Sequence, residues 1–172
     1  MILLIFILGF LGVFLGLNSL ILRRINQLNL LYRNMENNLH KQSDVIGDFL
    51  QLAKPQMMVQ NADLLHQANN YRWKFRARNK ATNEKVKAYN NLHSIFLKVQ
   101  SKNITQGETL KGLQSEWHNL VAEIEPQQKM YNRTVAIYND AIMWFPANFI
   151  AKLLNYSPKT SFEGLSDYNI QL

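Results

Sequence analysis

The chain contains no cysteine, and this absence removes disulfides, thiolate nucleophiles, cysteine-ligated zinc, iron–sulfur clusters and a lipid-modified N-terminal cysteine. Glycine and proline are scarce, with 7 and 4 in 172 residues, too few for the repeated tight turns of an all-β sandwich or barrel. Charge is missing altogether from residues 1–22. As a helix those residues would span about 33 Å, against roughly 30 Å of bilayer hydrocarbon, so a freely soluble protein is excluded first.

The apolar run ends at Arg23 and Arg24, and no basic residue precedes it. A cleaved signal peptide wants a basic start, a shorter core and a small-residue cleavage site, so the expectation is an uncleaved transmembrane anchor over residues 1–22. Arg23, Arg24, Arg33 and Lys41 all follow the span, which by the positive-inside rule puts the rest of the chain in the cytoplasm and the N-terminus outside. Gly9, Gly12, Gly16 and Ser19 share one helix face and would let another helix approach closely, giving a homo-oligomer; glycine is also simply frequent in membrane helices.

From Ile25 to Ala53 the apolar positions recur by threes and fours, broken only at Gln42, which predicts a helix that leaves the membrane without interruption and ends near Lys54 and Pro55. A second helix is predicted from Pro55 or Gln56 through Leu64, Ala68, Tyr71 and Phe75, and a third from about Asn83 to Val99 with a Thr or Asn N-cap. The fourth carries Leu110, Leu113, Trp117, Leu120, Ile124, Tyr131, Val135, Tyr138, Ile142 and Phe145 inward, and Pro126 should kink or split it at Glu125. The predicted fold is all-α: a transmembrane helix (1–22) continuing into an antiparallel up-down bundle of three or four long helices (23–146), then a short apolar segment and polar tail (147–172). In the tail, Phe149, Ile150, Leu153 and Leu154 form an apolar face that suits either a membrane-interface segment or a lid folded onto the bundle.

Tyr131-Asn132, Val135, Tyr138-Asn139, Ile142, Phe145-Pro146, Ile150-Ala151, Tyr156, Pro158 and Phe162-Glu163 resemble the C-terminal pattern of LemA-family proteins. Leu39, Asp44 and Ile46 resemble a second family motif. Gly47 stands where the family usually has proline, Pro126 interrupts a helix the family keeps continuous, and Asn155 replaces a usual glycine. The resemblance implies a membrane-anchored helical bundle of the bacterial inner membrane without established enzymatic activity, and roles in envelope or membrane organisation, in one branch magnetosome membrane formation.

Catalytic chemistry is thin. The four histidines make no His-Glu-x-x-His, and a di-iron bundle needs two Glu-x-x-His pairs where this chain offers one imperfect Asp63–His66. No nucleophile elbow or phosphate loop is present. The sequence therefore predicts no enzyme, no metal and no cofactor.

Charge is more informative. Residues 71–100 hold eight Lys or Arg against one acid, which is the whole formal charge of +7. Arg72, Lys74, Arg76, Arg78, Lys80, Lys85 and Lys87 would form either an ordinary solvated face or a contact for anionic lipid, since an up-down bundle would bring the second and third helices back to the headgroups. Nucleic acid is disfavoured, because Tyr71, Trp73 and Phe75 would stack on bases only from an extended backbone. The leading expectation is a non-enzymatic single-pass scaffold or adaptor with lipid and an unidentified protein as partners. The alternative is a membrane-tethered module that binds anionic lipid or nucleic acid through residues 71–87.

Overall fold

The structure is a computed structural model and describes residues 1–56, 62–101 and 107–163. Its helices are α1 (Ile2–Ala53), α2 (Ala62–Arg76), α3 (Thr82–Gln100), α4 (Glu108–Met143) and a short α5 (Ala147–Leu153), with a 3₁₀ turn at Lys54–Gln56 after α1. No strand occurs among the described residues. The four long helices form the expected antiparallel bundle, in which α1 packs chiefly on α4 and α2 on α3.

At 52 residues α1 is about 78 Å long, and from Phe10 onward the α5 corner lies beside it, with Phe14 and Leu17 packed against the core. It is the one described helix long and apolar enough to cross a membrane, with a mean hydropathy of 2.4 over its most apolar window. From Ile21 onward the three-and-four spacing becomes a buried stripe through Leu28, Tyr32, Met35 and Leu39.

The core falls into two apolar clusters. One, on the side of the candidate membrane span and so the membrane-side cluster, joins Leu28, Tyr32, Met35 and Leu39 of α1 to Phe75, Val86, Tyr89, Ile124, Tyr131, Tyr138, Ile150 and Phe162. The distal one joins Ile46, Phe49 and Leu50 to Ala68, Leu92, Phe96, Val99, Leu110 and Trp117. Near their junction Gln42, Ser43, His93 and Gln128 are buried polar residues. Gln42, which breaks the sequence pattern, accepts a hydrogen bond from the hydroxyl of Tyr89.

Four expectations are corrected. Helix α4 runs unbroken from Glu108 to Met143 through Pro126, so the proline does not split it. Phe145 does not face the core but is 85% exposed, because α4 stops at Met143 and Phe145 enters the turn to α5 through a cis peptide to Pro146. The N-cap of α3 is Ala81, without a side-chain cap bond, because Asn83 uses its amide elsewhere. As far as Glu163 the polar tail packs on the bundle, with Phe162 buried in the membrane-side cluster. The start expected for the second helix at Pro55 or Gln56 is a 3₁₀ turn, and residues 57–61 lie outside the described residues.

Candidate functional site: the membrane-side end of the bundle

Two features meet where the bundle approaches the apolar span: an exposed apolar corner and a strapped groove. The corner is made by the end of α4, the Phe145–Pro146 turn and α5. Ala147, Ile150 and Ala151 face inward, while Trp144, Phe145, Phe149 and Leu153 face out. Together with Phe10, Val13, Phe14 and Leu17 of α1, Phe145, Pro146, Phe149 and Ile150 line an almost wholly apolar crevice of about 260 Å³. Trp144 lies beside Leu20, Ile21 and Arg24 along a neighbouring crevice, at the level where the apolar span ends. Asn18, a polar residue inside the span, accepts a hydrogen bond from the hydroxyl of Tyr156 at 2.8 Å. The two expectations for the tail thus divide between residues: Ile150 is the lid, and Phe149 and Leu153 are the outward apolar face.

The groove lies between α3 and α4, and residues 157–163 run along it. Asn139 holds both backbone polar groups of Lys159, donating to its carbonyl at 2.9 Å and accepting from its N–H at 2.8 Å. Asn132 does the same to Phe162 at 2.9 and 2.8 Å. From α3, Asn83 accepts from the N–H of Thr160 at 2.6 Å. Asn90 donates to the carbonyl of Ser161 at 2.9 Å and accepts from Glu163 at 3.2 Å. The hydroxyl of Tyr138 donates to the carbonyl of Ser157 at 3.0 Å.

Simple geometry explains this match. Asn132 and Asn139 are seven residues apart on α4, as are Asn83 and Asn90 on α3, a rise of about 10.5 Å. Three residues of extended chain cover about 10 Å, so positions 159 and 162 meet one pair and 160 and 163 the other. Both backbone groups of residues 159 and 162, three apart, meet α4, so the segment turns with a three-residue period, as in a polyproline II chain, and asparagine side chains supply the hydrogen bonds that such a chain cannot make internally. Tyr89, Tyr131 and Tyr138 face inward, and the ring of Phe162 sits edge-on to Tyr89 at 5.8 Å and Tyr131 at 5.1 Å. Burial pushes the Tyr131 hydroxyl up to about 12 and the Tyr89 hydroxyl higher still, so both remain neutral.

The sequence pattern contained half of this site. Tyr131-Asn132 and Tyr138-Asn139 stand out as a motif, whereas Asn83 and Asn90 were missed, although their identical spacing and a third Tyr-Asn pair, Tyr89-Asn90, are the signals that point to them. Two departures from the family pattern also have physical accounts. Asn155 has φ 54°, a left-handed conformation that glycine favours and asparagine tolerates. Gly47 makes room for the guanidinium of Arg72, which a Cβ there would meet too closely.

The basic residues are not one free surface. Arg72 pairs with Asp44 at 2.6 Å and Arg76 pairs with the same carboxylate. Burial raises the pKa of Asp44, but the hydrogen bond from Arg72 and the charge of Arg76 outweigh it and hold the carboxyl below its ordinary value. Lys85 pairs with Glu36 at 3.0 Å and Lys80 with Glu84 at 2.8 Å. The Nζ of Lys74 stands 5.7 Å from the ring centroid of Tyr71. Arg78 and Lys87 have no ion-pair partner among the described residues. Lys74, Lys80 and Lys87 border a shallow concavity of about 260 Å³ with Tyr71, Glu84 and Asn91.

Nor does the turn between α2 and α3 reach the end of the apolar span. Lys85 is level with Glu36, 14 residues or about 21 Å beyond Leu22, because α2 has only 15 residues to descend what α1 climbs in 31. Since α2 is helical through Arg76, Tyr71 is half-buried, Trp73 exposed and Phe75 buried, and no stacking platform forms.

Gly9, Gly12, Gly16 and Ser19 are exposed, and a Cβ at any of the three glycines would meet nothing within 4 Å. At 100° per residue their face lies about 150° from that of Phe10, Phe14, Leu17 and Ile21. Among the described residues no group of three or more His, Asp or Glu could hold a metal ion.

An apolar N-terminal helix, a four-helix bundle and a C-terminal strap clamped by Tyr-Asn pairs define a helical protein built around one candidate membrane span. The LemA family model matches residues 32–170, and the chain belongs to the LemA family. Neither a curated protein nor a solved structure matches it.

Proposed function

We propose that this protein is a non-enzymatic, single-pass membrane scaffold or adaptor of the bacterial inner membrane. In this reading α1 spans the bilayer with its N-terminus outside, and the bundle stands in the cytoplasm as the basic residues after Leu22 direct. The observation that carries it is the apolar corner. Trp144 and Phe145 lie beside Leu17, Leu20 and Ile21 near the end of the apolar span, and Phe149 lies beside Phe10 to Leu17 within it, where an exposed aromatic and aliphatic face suits lipid. Span and corner would hold the bundle at two points and fix its orientation to the membrane, as a protein that positions others needs.

Photoreactive residues at exposed positions on α2, α3 and α4 test the scaffold role in native membranes. Discrete protein adducts from one face support it; no adducts above background from any face would contradict it. A C-terminal alkaline phosphatase fusion tests orientation, and activity of that reporter would put the bundle outside.

The concavity bordered by Lys74, Lys80 and Lys87 favours a second reading, a tethered module for anionic polymers. It would face the aqueous phase well above the headgroups. Salt-dependent retention of nucleic acid or acidic peptide by protein in neutral nanodiscs would support it. Retention only by anionic lipid would favour the headgroup contact instead.

A further inference from the structure

All eight hydrogen bonds from α3 and α4 to residues 157–163 end on backbone atoms of that segment. None depends on which side chains it carries. Among residues 157–163 only Phe162 is buried; Ser157, Pro158 and Glu163 are exposed and the others are half-exposed. The groove is therefore built to recognise an extended main chain with one aromatic residue at a fixed register. An exposed sheet edge binds peptides by this logic, with affinity from main-chain hydrogen bonds and selectivity from side-chain pockets.

We propose that the α3–α4 groove is a peptide-binding site whose resident occupant is the chain's own residues 157–163. When the strap lifts, the groove takes an extended segment of a partner protein carrying a phenylalanine in the place of Phe162. This gives the adaptor reading a partner chemistry and rests on that reading. Three features fit exchange. The strap leaves α5 at Asn155, whose positive φ ends the helix, and begins after Tyr156, which Asn18 holds. Lifting residues 157–163 removes one buried side chain, Phe162, from the membrane-side cluster, while Tyr156 stays bonded to Asn18 and Tyr89 keeps its contacts with Phe75 and His93. The strap acts in cis at an effective concentration of about millimolar, so a dilute free peptide is excluded and a partner concentrated on the same membrane competes.

The test uses the full chain in detergent and a fluorescent peptide with the sequence of residues 156–163. Phe162→Ala loosens the strap and leaves the socket between Tyr89 and Tyr131 intact. Saturable binding to Phe162→Ala is expected, at least about tenfold tighter than to the unaltered chain, where the strap competes. Adding Asn90→Ala or Asn132→Ala should weaken it at least about tenfold, and a peptide lacking the phenylalanine should not bind. Should Phe162→Ala lose its cooperative melt, Thr160→Pro serves instead, since it removes the strap's N–H to Asn83 and restrains residue 159 while keeping Phe162. No saturable binding to a folded loosened variant, or binding indifferent to Asn90 and Asn132, overturns the proposal. Either result leaves the photo-cross-linking test of the scaffold role standing, because that test does not use the groove.

Discussion

The two halves of the bundle are fastened differently. The distal half is held by apolar and aromatic packing: Phe49 meets Phe96 edge-on at 5.1 Å, and Trp117 lies 5.0 Å from Phe96 and 5.3 Å from His93. The membrane-side half adds a strap that four asparagines hold in one register, and an outer corner that stays apolar though exposed. Packing alone tolerates many sequences of the right size, whereas a clamp on the backbone specifies atoms. The half that touches the candidate membrane span is thus the half whose geometry is most tightly defined.

The largest effect should come from breaking the distal half. Trp117 is 3% exposed, and Trp117→Ala should cost about 3 to 5 kcal/mol, read as a lower melting temperature with the strap unaffected. A loss under about 1 kcal/mol would mean that the distal half does not depend on its aromatic stack.

Acid should act on the junction between the halves. Burial pushes the His93 imidazole down to about 4, so His93 is neutral when folded and binds a proton more readily when unfolded. Its contribution is intact above about pH 6.5 and falls as pH drops toward about 4, at up to about 1.4 kcal/mol per pH unit. Asp44, held below its ordinary value by Arg72 and Arg76, loses its contribution only at more acid pH, below the usual carboxylate range. Denaturant titrations from pH 7 to 4 should show the slope in the unaltered chain and a flatter line in His93→Phe.

On the membrane side, Asn132→Ala should cost about 1 to 3 kcal/mol by leaving both backbone groups of Phe162 without their partner. Hydrogen exchange should quicken in residues 157–163 while the distal half stays protected. Equal acceleration in both halves would show that they are one cooperative unit. The smallest effect belongs to the corner: Phe145→Ser should change stability in detergent by less than about 0.5 kcal/mol, because the ring is mostly exposed.

The halves also differ in how legible they were in the sequence. Val86, Tyr89, Leu92, Phe96 and Val99 of α3 are all buried as their spacing predicts, because helical periodicity is a local property. The span and the candidate corner were readable for the same reason. The strap was not, because it depends on amides of α3 and α4 that lie up to 77 residues from the groups they hold. Phe145 misled because periodicity does not mark where a helix stops, and the turn at Pro146 turns an inward position outward. The basic segment misled because its height depends on the length of α2, and composition carries no register with α1.

The most direct test of the account is the depth of the corner in a bilayer. The absence of native cysteine allows a unique fluorophore through Leu153→Cys, with Trp73→Cys on exposed α2 as the reference, both reconstituted in vesicles. Quenching by lipids labelled near the headgroup, strong at position 153 and absent at 73, is the predicted result. Quenching at 153 by aqueous iodide alone would contradict it and detach the bundle from the membrane surface.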